Sequence, residues 1–433
     1  MDSGLKILVI GSGGREHALC WKIAESPRCK KLYCAPGNGG ISQIAEIVNI
    51  SADDINALLK FAKDQSIDLT VVGPEVPLVK GIVDLFSANN LKIFGPSKEL
   101  ARIEGSKIFA KELMRRFGVP TADFRVFEDA QDALKYLDTI KAPVVVKADG
   151  LAAGKGVVVA RNITEAKDAV KKMLLGGAFG EAGKKIIVEE CLSGQEASII
   201  VVSDGNNVVP LASSQDHKRV FDNDVGPNTG GMGAYSPAPV ITEELFKQIM
   251  NSVIYPIIGG LSKDGTPYKG VLYAGVMVTD KGPMVLEFNA RFGDPETQAI
   301  LPRLKTDIVD IIQRSIDGAL SGYKLDWDER PCVSVVMTSG GYPEAFEKGI
   351  EIEGLEEAKK MKDVTVFHAG TKLGKRVSDK NQTVLTSGGR VLNVTAIGPD
   401  YKKAIENCYN ALAKIRFEGM HYRRDIGSKA IKN

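Results

Sequence analysis

The sequence predicts an α/β protein, because strand and helix patterns alternate along most of the chain. An apolar run at residues 5–10 leads through a glycine turn into a helical pattern, which is how a doubly wound α/β domain usually begins. A lysine-bearing strand at 142–147 returns through a glycine hairpin to a second strand, and a smaller set of strand and helix patterns follows residue 320. These changes along the chain predict three domains, which span 1–104, 105–325 and 326–433.

Composition and charge narrow the classes of function. The 433 residues carry a formal net charge of +2, so nothing favours a nucleic-acid or membrane partner. No apolar run approaches the length that crosses a bilayer, and the six cysteines show neither zinc spacing nor a Cys-x-x-Cys pair. We therefore expect a cytoplasmic enzyme. We also expect a monomer that acts on small molecules, although composition does not bear on the oligomeric state. The basic run 423–432 is expected to be a solvated tail.

The first glycine turn is a candidate anion site. Gly13 and Gly14 let the backbone approach a negative group at the start of a helix. Glu16 replaces the third glycine of the dinucleotide fingerprint, and the next strand ends at Ala35-Pro36 without an acid for a ribose. The phosphate of a smaller ligand fits better than a dinucleotide, and a tight turn without a ligand is the alternative.

A second ligand position is predicted at the end of the strand 69–73. Pro74 and Glu75 follow that strand, at the edge where open parallel sheets bind ligands. Lys107 stands next to a helix start at Ser106, where a lysine can reach a phosphate, although a lone lysine is usually surface charge.

The strand 142–147 ends in Lys147, and the loop after it contains Gly154, Lys155 and Gly156. The loop joins two strands, so it is not a Walker A loop, which joins a strand to a helix. A glycine hairpin of this kind can still place amide N–H groups on phosphates. This hairpin is therefore a candidate to close over phosphates.

The strand 186–192 carries acids at its end. The edge of this strand, where Glu189 and Glu190 lie, can offer backbone groups to an adenine, and the carboxylate of Glu196 can take ribose hydroxyls. An ordinary charged strand end explains this segment equally well.

Residues 215–219 are five polar residues between apolar strands. Asp216, His217, Lys218 and Arg219 are candidates to bind a polyphosphate and a carboxylate, and an exposed turn is the alternative. The glycine-rich run 226–235 is interpreted as a loop that covers a substrate.

The strand 284–288 carries the central motif. Alternate residues of a strand share a face, so Glu287, Asn289 and Arg291 are expected to lie together. Carboxylate and amide oxygens suit Mg²⁺, and a guanidinium clamps phosphate oxygens, so this face is predicted to hold a metal-bound polyphosphate. An exposed sheet face with a surface ion pair is the alternative. Gly293 and Asp294 lie in the turn that follows.

In this order the motifs resemble those of the ATP-grasp ligases, and among them the phosphoribosylamine–glycine ligase family. The segments that carry the resemblance are 11–17, 36–40, 73–75, 215–219, 228–233, 289–296 and 368–371. The resemblance implies an ATP-grasp fold with a Rossmann-like N-terminal domain, a mobile lid at about 121–193 and a small C-terminal domain. It also implies ATP-dependent joining of glycine to 5-phosphoribosylamine through a glycyl phosphate, with Mg²⁺ or Mn²⁺, in purine biosynthesis.

The resemblance implies a role for each candidate residue. The ATP-binding positions are Lys107, Lys147, Gly154, Lys155, Gly156, Glu189, Glu190, Leu192, Glu196, His217 and Arg219, and the metal ligands are Glu287 and Asn289. The catalytic residues are Asp216, which would bind the glycine ammonium, Lys218 and Arg291. The other substrate positions are Gly13, Gly14, Pro74, Glu75, Gly293 and Asp294.

One departure and three rival functions accompany this interpretation. Carboxylase-type relatives carry a further metal-binding acid on the strand before Glu287, and residues 274–277 contain none, so water or substrate is expected to complete the metal site. The rivals are another ATP-grasp ligase that uses bicarbonate or formate, a nicotinamide-dependent oxidoreductase built on the first domain, and a non-catalytic nucleotide-binding scaffold.

Overall fold

The N-terminal unit is a parallel five-stranded sheet in the order β3-β2-β1-β4-β5. The computed structural model describes residues 4–151, 156–176, 180–375 and 382–432. Strand β1 is apolar without alternation because the sheet is covered on both faces. The elements of this unit are β1 (Leu5–Gly11), α1 (Gly14–Ala24), β2 (Cys29–Pro36), β3 (Glu46–Ile47), α2 (Ile55–Asp64), β4 (Leu69–Val72), α3 (Glu75–Lys80), α4 (Ile82–Ser87), β5 (Ile93–Phe94) and α5 (Lys98–Gly105).

The next unit, which we call the lid, has a sheet of its own in the order β6-β9-β7-β8. Its apolar residues, such as Val146 and Ala166, form a separate buried cluster. The elements are α6 (Lys107–Arg116), which precedes the lid, β6 (Phe124–Phe127), α7 (Ala130–Leu137), β7 (Val144–Ala148), β8 (Val157–Ala160), α8 (Ile163–Val170) and β9 (Ile186–Glu190). Ser106 caps α6 by accepting a hydrogen bond from the backbone N–H of Phe109.

The central unit is built on the antiparallel sheet β11-β10-β16-β17. Leu8 of the N-terminal sheet shares a buried cluster with Leu272 and Phe288 of the central sheet, so the two units pack as one body. The elements are β10 (Gln195–Asp204), β11 (Val208–Pro210), β12 (Gln215–Asp216), β13 (Arg219–Phe221), β14 (Val225–Asn228), β15 (Gly233–Ser236), α9 (Glu243–Ile249), α10 (Tyr255–Lys263), β16 (Lys269–Thr279), β17 (Gly282–Asn289), α11 (Glu296–Ile300) and α12 (Ile308–Asp317).

The C-terminal sheet recruits two strands from the middle of the chain. Its order is β12-β15-β18-β22-β19. The expectation that 226–235 is a covering loop is wrong at both ends, because Val225–Asn228 is a strand paired with β13 and Gly233–Ser236 is a buried strand paired with β18. The remaining elements are β18 (Cys332–Thr338), α13 (Leu355–Lys359), β19 (Val364–His368), β20 (Thr371–Lys375), β21 (Gln382–Thr386), β22 (Arg390–Ile397), α14 (Tyr401–Leu412) and α15 (Ser428–Lys432).

The predicted α/β class is thus confirmed. Among the described residues, none of the helices combines the length and the apolar character needed to cross a bilayer. The Asn38 side chain ties the N-terminal unit to the C-terminal one, because its amide donates to the carbonyl oxygens of Ser12 and His368 at 2.9 and 2.8 Å.

Candidate active site

A cavity of about 1250 Å³ opens where the units meet. Glu75 of the N-terminal unit, Lys147 of the lid, Glu287 of the central sheet and Arg390 of the C-terminal unit all line it. Ligands commonly bind in a large concave site between domains. The cavity is therefore our candidate active site.

The end of β17 presents the predicted central motif to this cavity. Glu287, Asn289 and Arg291 all line it, as the strand alternation predicted. The strand ends at Asn289, and Arg291 reaches the same side from the bend that follows. The Arg291 guanidinium donates to Asn289 Oδ1 at 3.1 Å, so the amide oxygen and the cation form one unit.

Two carboxylates hold the Arg291 guanidinium. The sequence predicted Glu75 as a site residue but not Glu104. Glu104 Oε1 lies 2.8 Å from Arg291 Nη2, and Glu75 Oε2 lies 3.4 Å from Nε. The second oxygen of Glu104 accepts a hydrogen bond from the backbone N–H of Ala290 at 2.8 Å. Burial lowers the pKa of Arg291, but Glu104 and Glu75 outweigh burial and raise it, so the guanidinium stays charged. Burial raises the pKa of Glu104.

The lid lysine belongs to a buried charged triad. Lys147 contacts one oxygen of Glu189, and Lys111 Nζ lies 2.7 Å from the other. Glu189 is only 4% exposed, and the two ammonium groups contact its carboxylate from two sides. Its strand β9 pairs with β6 and β7 on both edges. Lys111 is a further cavity residue that the sequence reasoning missed, because it lies on the helix after Ser106 without a local motif.

Lys107 has a different environment from Lys147. Its ammonium donates to the carbonyl oxygen of Gly150 at 2.9 Å, next to the glycine hairpin. Burial lowers the pKa of Lys107, and the Glu287 carboxylate opposes this. A buried ammonium held by a carbonyl gains from an anion placed beside it. Gly156 lines the cavity, whereas the predicted positions Gly154 and Lys155 lie outside the described residues.

Lys218 joins three of the predicted acidic positions. Its Nζ lies 2.9 Å from Glu196 and 3.9 Å from Glu287. Burial alone lowers the pKa of Lys218, but Glu196, Asp216 and Glu287 raise it well above its usual value. Burial raises the pKa of Asp216 to about 7, although Lys218 pulls it down. Despite its burial, Glu287 has a lowered pKa because Lys218, Lys147 and Lys107 stabilise its charge.

His217 does not belong with the other candidates. Its side chain is fully buried against Tyr235, with ring centroids 5.8 Å apart, and it is not among the residues that line the cavity. Burial lowers the pKa of His217 to about 3, so the ring is neutral. The interpretation of His217 as a cation beside the phosphates is therefore wrong. Arg219 does line the cavity, and its guanidinium donates to the carbonyl oxygen of Gly226 at 2.6 Å.

The glycine turn at Gly13 and Gly14 is filled by a side chain of its own helix. The backbone N–H of Gly13 donates to Glu16 Oε2 at 2.6 Å, and Arg15 Nε lies 2.5 Å from Glu16 Oε1. A Cβ built on Gly73 would lie 2.2 Å from Glu16 Oε1, so the carboxylate sits between the two strand ends. The carboxylate of Glu16 therefore occupies the place that an external anion would take in this turn. The neighbouring Arg15 lines the cavity.

Only some of the residues predicted in the turns line the cavity. Glu75 and Asp294 line the cavity, whereas the described Gly13, Gly14, Pro74 and Gly293 do not. Arg390 lies 3.3 Å from Asp294 Oδ1 and also donates to the Asp294 carbonyl oxygen at 2.8 Å. Burial raises the pKa of Asp294, but Arg390 and Arg15 together hold it below its usual value. Glu190, Leu192 and Glu196 also line the cavity.

Comparison with known proteins assigns these features to a family. Residues 5–104, 105–297 and 332–429 match the N domain, the ATP-grasp (A) domain and the C domain of phosphoribosylglycinamide synthetase. The chain is 51% identical to a phosphoribosylamine–glycine ligase of Caldanaerobacter subterraneus subsp. tengcongensis, over 98% of this chain and 100% of the relative. It is 52% identical to that of Haemophilus influenzae, over 99% of both chains.

Solved structures agree with the sequence comparison. The phosphoribosylamine–glycine ligase of Thermotoga maritima superposes with a TM-score of 0.83 at 32% identity, over 97% of this chain and 100% of that one. A biotin carboxylase from Campylobacter jejuni, solved as a β,γ-ATP complex, gives a TM-score of 0.72 at 18% identity, over 100% of this chain and 96% of that one. The second likeness shows the shared ATP-grasp fold.

Proposed function

Since the chain belongs to the phosphoribosylglycinamide synthetase family and is a ligase with the ATP-grasp fold, we propose that it joins glycine to 5-phosphoribosylamine. The products are glycinamide ribonucleotide, ADP and phosphate, and the reaction belongs to purine biosynthesis. The observation that carries the proposal is the cavity in which β17 places Glu287 and Asn289 beside Lys107 and Lys218. Oxygen ligands among buried cations suit a metal-bound polyphosphate.

The residues at the end of β17 fit a divalent cation. Glu287 is ionised, because the lysines around it lower its pKa, and Asn289 offers an amide oxygen. No cluster of three His, Cys, Asp or Glu side chains suited to a metal occurs within the described ranges. Phosphate oxygens and water would therefore complete the coordination of Mg²⁺ or Mn²⁺. When bound, the ion neutralises charge on the transferred phosphoryl group.

In the first step, a carboxylate oxygen of glycine attacks the γ-phosphorus of ATP. The bond from this phosphorus to the bridging oxygen breaks, and ADP leaves with that electron pair. Phosphoryl transfer depends mainly on positioning and charge neutralisation. Lys107, Lys147 and Lys218 are proposed to bind the phosphates, and Arg291 is proposed to face the transferred group.

In the second step, the amine nitrogen of phosphoribosylamine attacks the carbonyl carbon of glycyl phosphate. The carbon–oxygen bond to phosphate breaks, and the nitrogen loses a proton as the amide forms. Acyl phosphates hydrolyse, so water has to be excluded during this step. The lid, with its own sheet and core, is proposed to close over the cavity for this purpose.

The substrates are proposed to occupy opposite ends of the charged region. The Asp216 carboxylate is proposed to bind the glycine ammonium, which would draw it into its ionised form. Phosphoribosylamine is proposed to lie near Glu75, Asp294 and Arg15. Because Glu16 fills the glycine turn, Arg15 replaces the amides of Gly13 and Gly14 as the proposed partner of the substrate phosphate.

A hydroxylamine trap tests the proposed reaction. With ATP, Mg²⁺, glycine and hydroxylamine, but without phosphoribosylamine, the protein should form glycine hydroxamate and one ADP for each hydroxamate. Formation of AMP and pyrophosphate would contradict phosphoryl activation. ADP release that requires bicarbonate or formate instead of glycine would favour another ATP-grasp ligase.

A further inference from the structure

The hairpin formed by β13 and β14 supplies one wall of the cavity. Arg219, Asp224 and Asn228 of this hairpin line the cavity, immediately after Lys218. The backbone N–H of Thr229 donates to the Lys218 carbonyl oxygen at 2.8 Å, so the end of the hairpin is tied to the catalytic candidate. The position of the hairpin therefore influences where Lys218 and Arg219 lie.

The C-terminal segment 421–429, which we call the brace, grips this hairpin. The expectation of a solvated tail is wrong here, since Arg423 has no exposed surface. Its guanidinium donates to both oxygens of Asp425 at 2.8 and 2.6 Å, to Asp224 Oδ1 at 2.8 Å and to the Arg219 carbonyl oxygen at 3.1 Å. One buried fork thus joins the brace to the first strand of the hairpin and to its turn.

Further contacts run along the first strand and the turn of the hairpin. The backbone N–H of Asn223 donates to Asp425 and that of Arg424 to Asp222, at 2.9 and 2.7 Å. The His421 ring nitrogen Nε2 lies 2.9 Å from the Val220 carbonyl oxygen, and Lys429 Nζ lies 2.6 Å from Asp224.

The turn of the hairpin needs such external support. Asn223 and Asp224 are consecutive non-glycine residues in the left-handed region, with φ of 59° and 55°. Asn and Asp adopt this conformation more readily than other residues with a Cβ, but usually as single residues, and two in succession are held there by surrounding contacts. Both residues bond to the brace, which supplies those contacts.

We propose that Arg423 is a positioning residue, which acts through Asp224 and the Arg219 carbonyl to hold Lys218 and Arg219 at the nucleotide phosphates. The catalytic consequence rests on the proposed function, whereas the structural part does not. Arg423 touches no substrate, so its effect is transmitted by the hairpin. A lysine has no planar fork and cannot satisfy these acceptors together.

The test combines hydrogen–deuterium exchange with steady-state kinetics on the full-length protein. Arg423→Lys should speed exchange of the amides in 219–228 and lower kcat by about tenfold, because small misplacement of reacting groups is costly. The KM for ATP should change by a smaller factor. Arg424→Ala is the matched control, because its exposed side chain is removed while its backbone N–H is kept. It should behave like the parent protein.

Two results would overturn the proposal. One is unchanged exchange of 219–228 in Arg423→Lys, and the other is faster exchange of this segment with the kcat of the parent protein. If Arg423→Lys does not fold, Asp224→Asn tests the same contact from its partly exposed partner. Parental exchange of 219–228 together with parental kcat in Asp224→Asn would also overturn the proposal. A parent protein that forms no hydroxamate would refute the proposed function, while the exchange comparison would still decide the role of the brace.

Discussion

The ammonium group of Lys218 contacts two carboxylates of the cavity. Its Nζ lies 2.9 Å from Glu196 Oε2 and 3.9 Å from Glu287 Oε1. Lys218→Gln removes the positive charge but keeps a hydrogen-bonding side chain. We expect kcat to fall by about 100-fold, because preorganised charge at a transferred phosphoryl group contributes on that scale. Initial rates with saturating ATP and glycine measure this effect.

The matched control for this prediction is Lys281→Ala. Lys281 is exposed in the turn between β16 and β17, outside the cavity. The control should retain the parental kcat. A Lys218→Gln variant with the same kcat as this control would contradict the role of Lys218.

Replacement of Glu287 by Gln and Asn289 by Ala in one chain tests the metal site. The change removes the carboxylate and the amide oxygen that β17 offers to the cavity. Higher Mg²⁺ concentrations should be needed for half-maximal activity, and the maximal rate should fall by about 100-fold or more. Titration of activity with Mg²⁺ measures both quantities. Asp280→Asn, exposed in the preceding turn, is the control, and an unaltered titration curve in the double variant would exclude the assignment.

The predictable part of the site depended on local periodicity. Alternation along β17 was sufficient to predict that Glu287 and Asn289 lie on one side of the strand. Arg291 lies beyond the end of the strand, and its side chain lines the same cavity. The same reasoning failed for His217, since a short run of polar residues does not reveal that its second member points into the core. The family assignment and the α/β class needed only ordered motifs, and both are confirmed.

The contacts that sequence reasoning missed share a different property, which is the distance along the chain between the two partners. Glu104 meets the backbone of Ala290, 186 residues away, and Arg390 meets Asp294 across 96 residues. Pairings of this kind arise from the packing of whole units, and no local spacing encodes them. Glu16 was noticed only as a departure from a glycine motif, although its carboxylate fills the turn.

Asp216 predicts a pH dependence for glycine use. Because burial raises its pKa to about 7, the carboxylate is charged above that pH and largely protonated below it. Only the charged form attracts the glycine ammonium, so kcat/KM for glycine should fall as the pH drops through about 7. In Asp216→Asn this step should disappear, with a lower value throughout. A pH profile that keeps the same step in the variant would assign the titration to another group.

Glu104→Gln tests how Arg291 is held. The neutral amide keeps the size of the side chain but removes the charge that faces the guanidinium at 2.8 Å. We expect kcat to fall by about tenfold, and the free energy of unfolding to drop by about 1–3 kcal/mol, as a buried charged hydrogen bond is weakened. Glu99→Gln, exposed on the same helix α5, should change neither quantity. Parental kinetics in Glu104→Gln would show that Arg291 needs no such anchor.

The neutral ring of His217 predicts a change of stability with pH. Its pKa is about 3 in the folded protein, where burial disfavours the charge, and near 6.5 when the chain is unfolded. The unfolded state therefore binds more protons between these values. The stability contribution of the neutral ring is complete above pH 6.5 and is lost as the pH falls towards 3.

Between pH 7 and pH 5 this single histidine should cost the parent protein about 2 kcal/mol of unfolding free energy. Other groups also titrate in this interval, so the comparison is made with His217→Gln, which cannot take up the proton. Urea unfolding at both pH values gives the four free energies. The loss on acidification should be smaller in the variant by that amount, and an equal loss in both proteins would show that the ring is already accessible to protons in the native state.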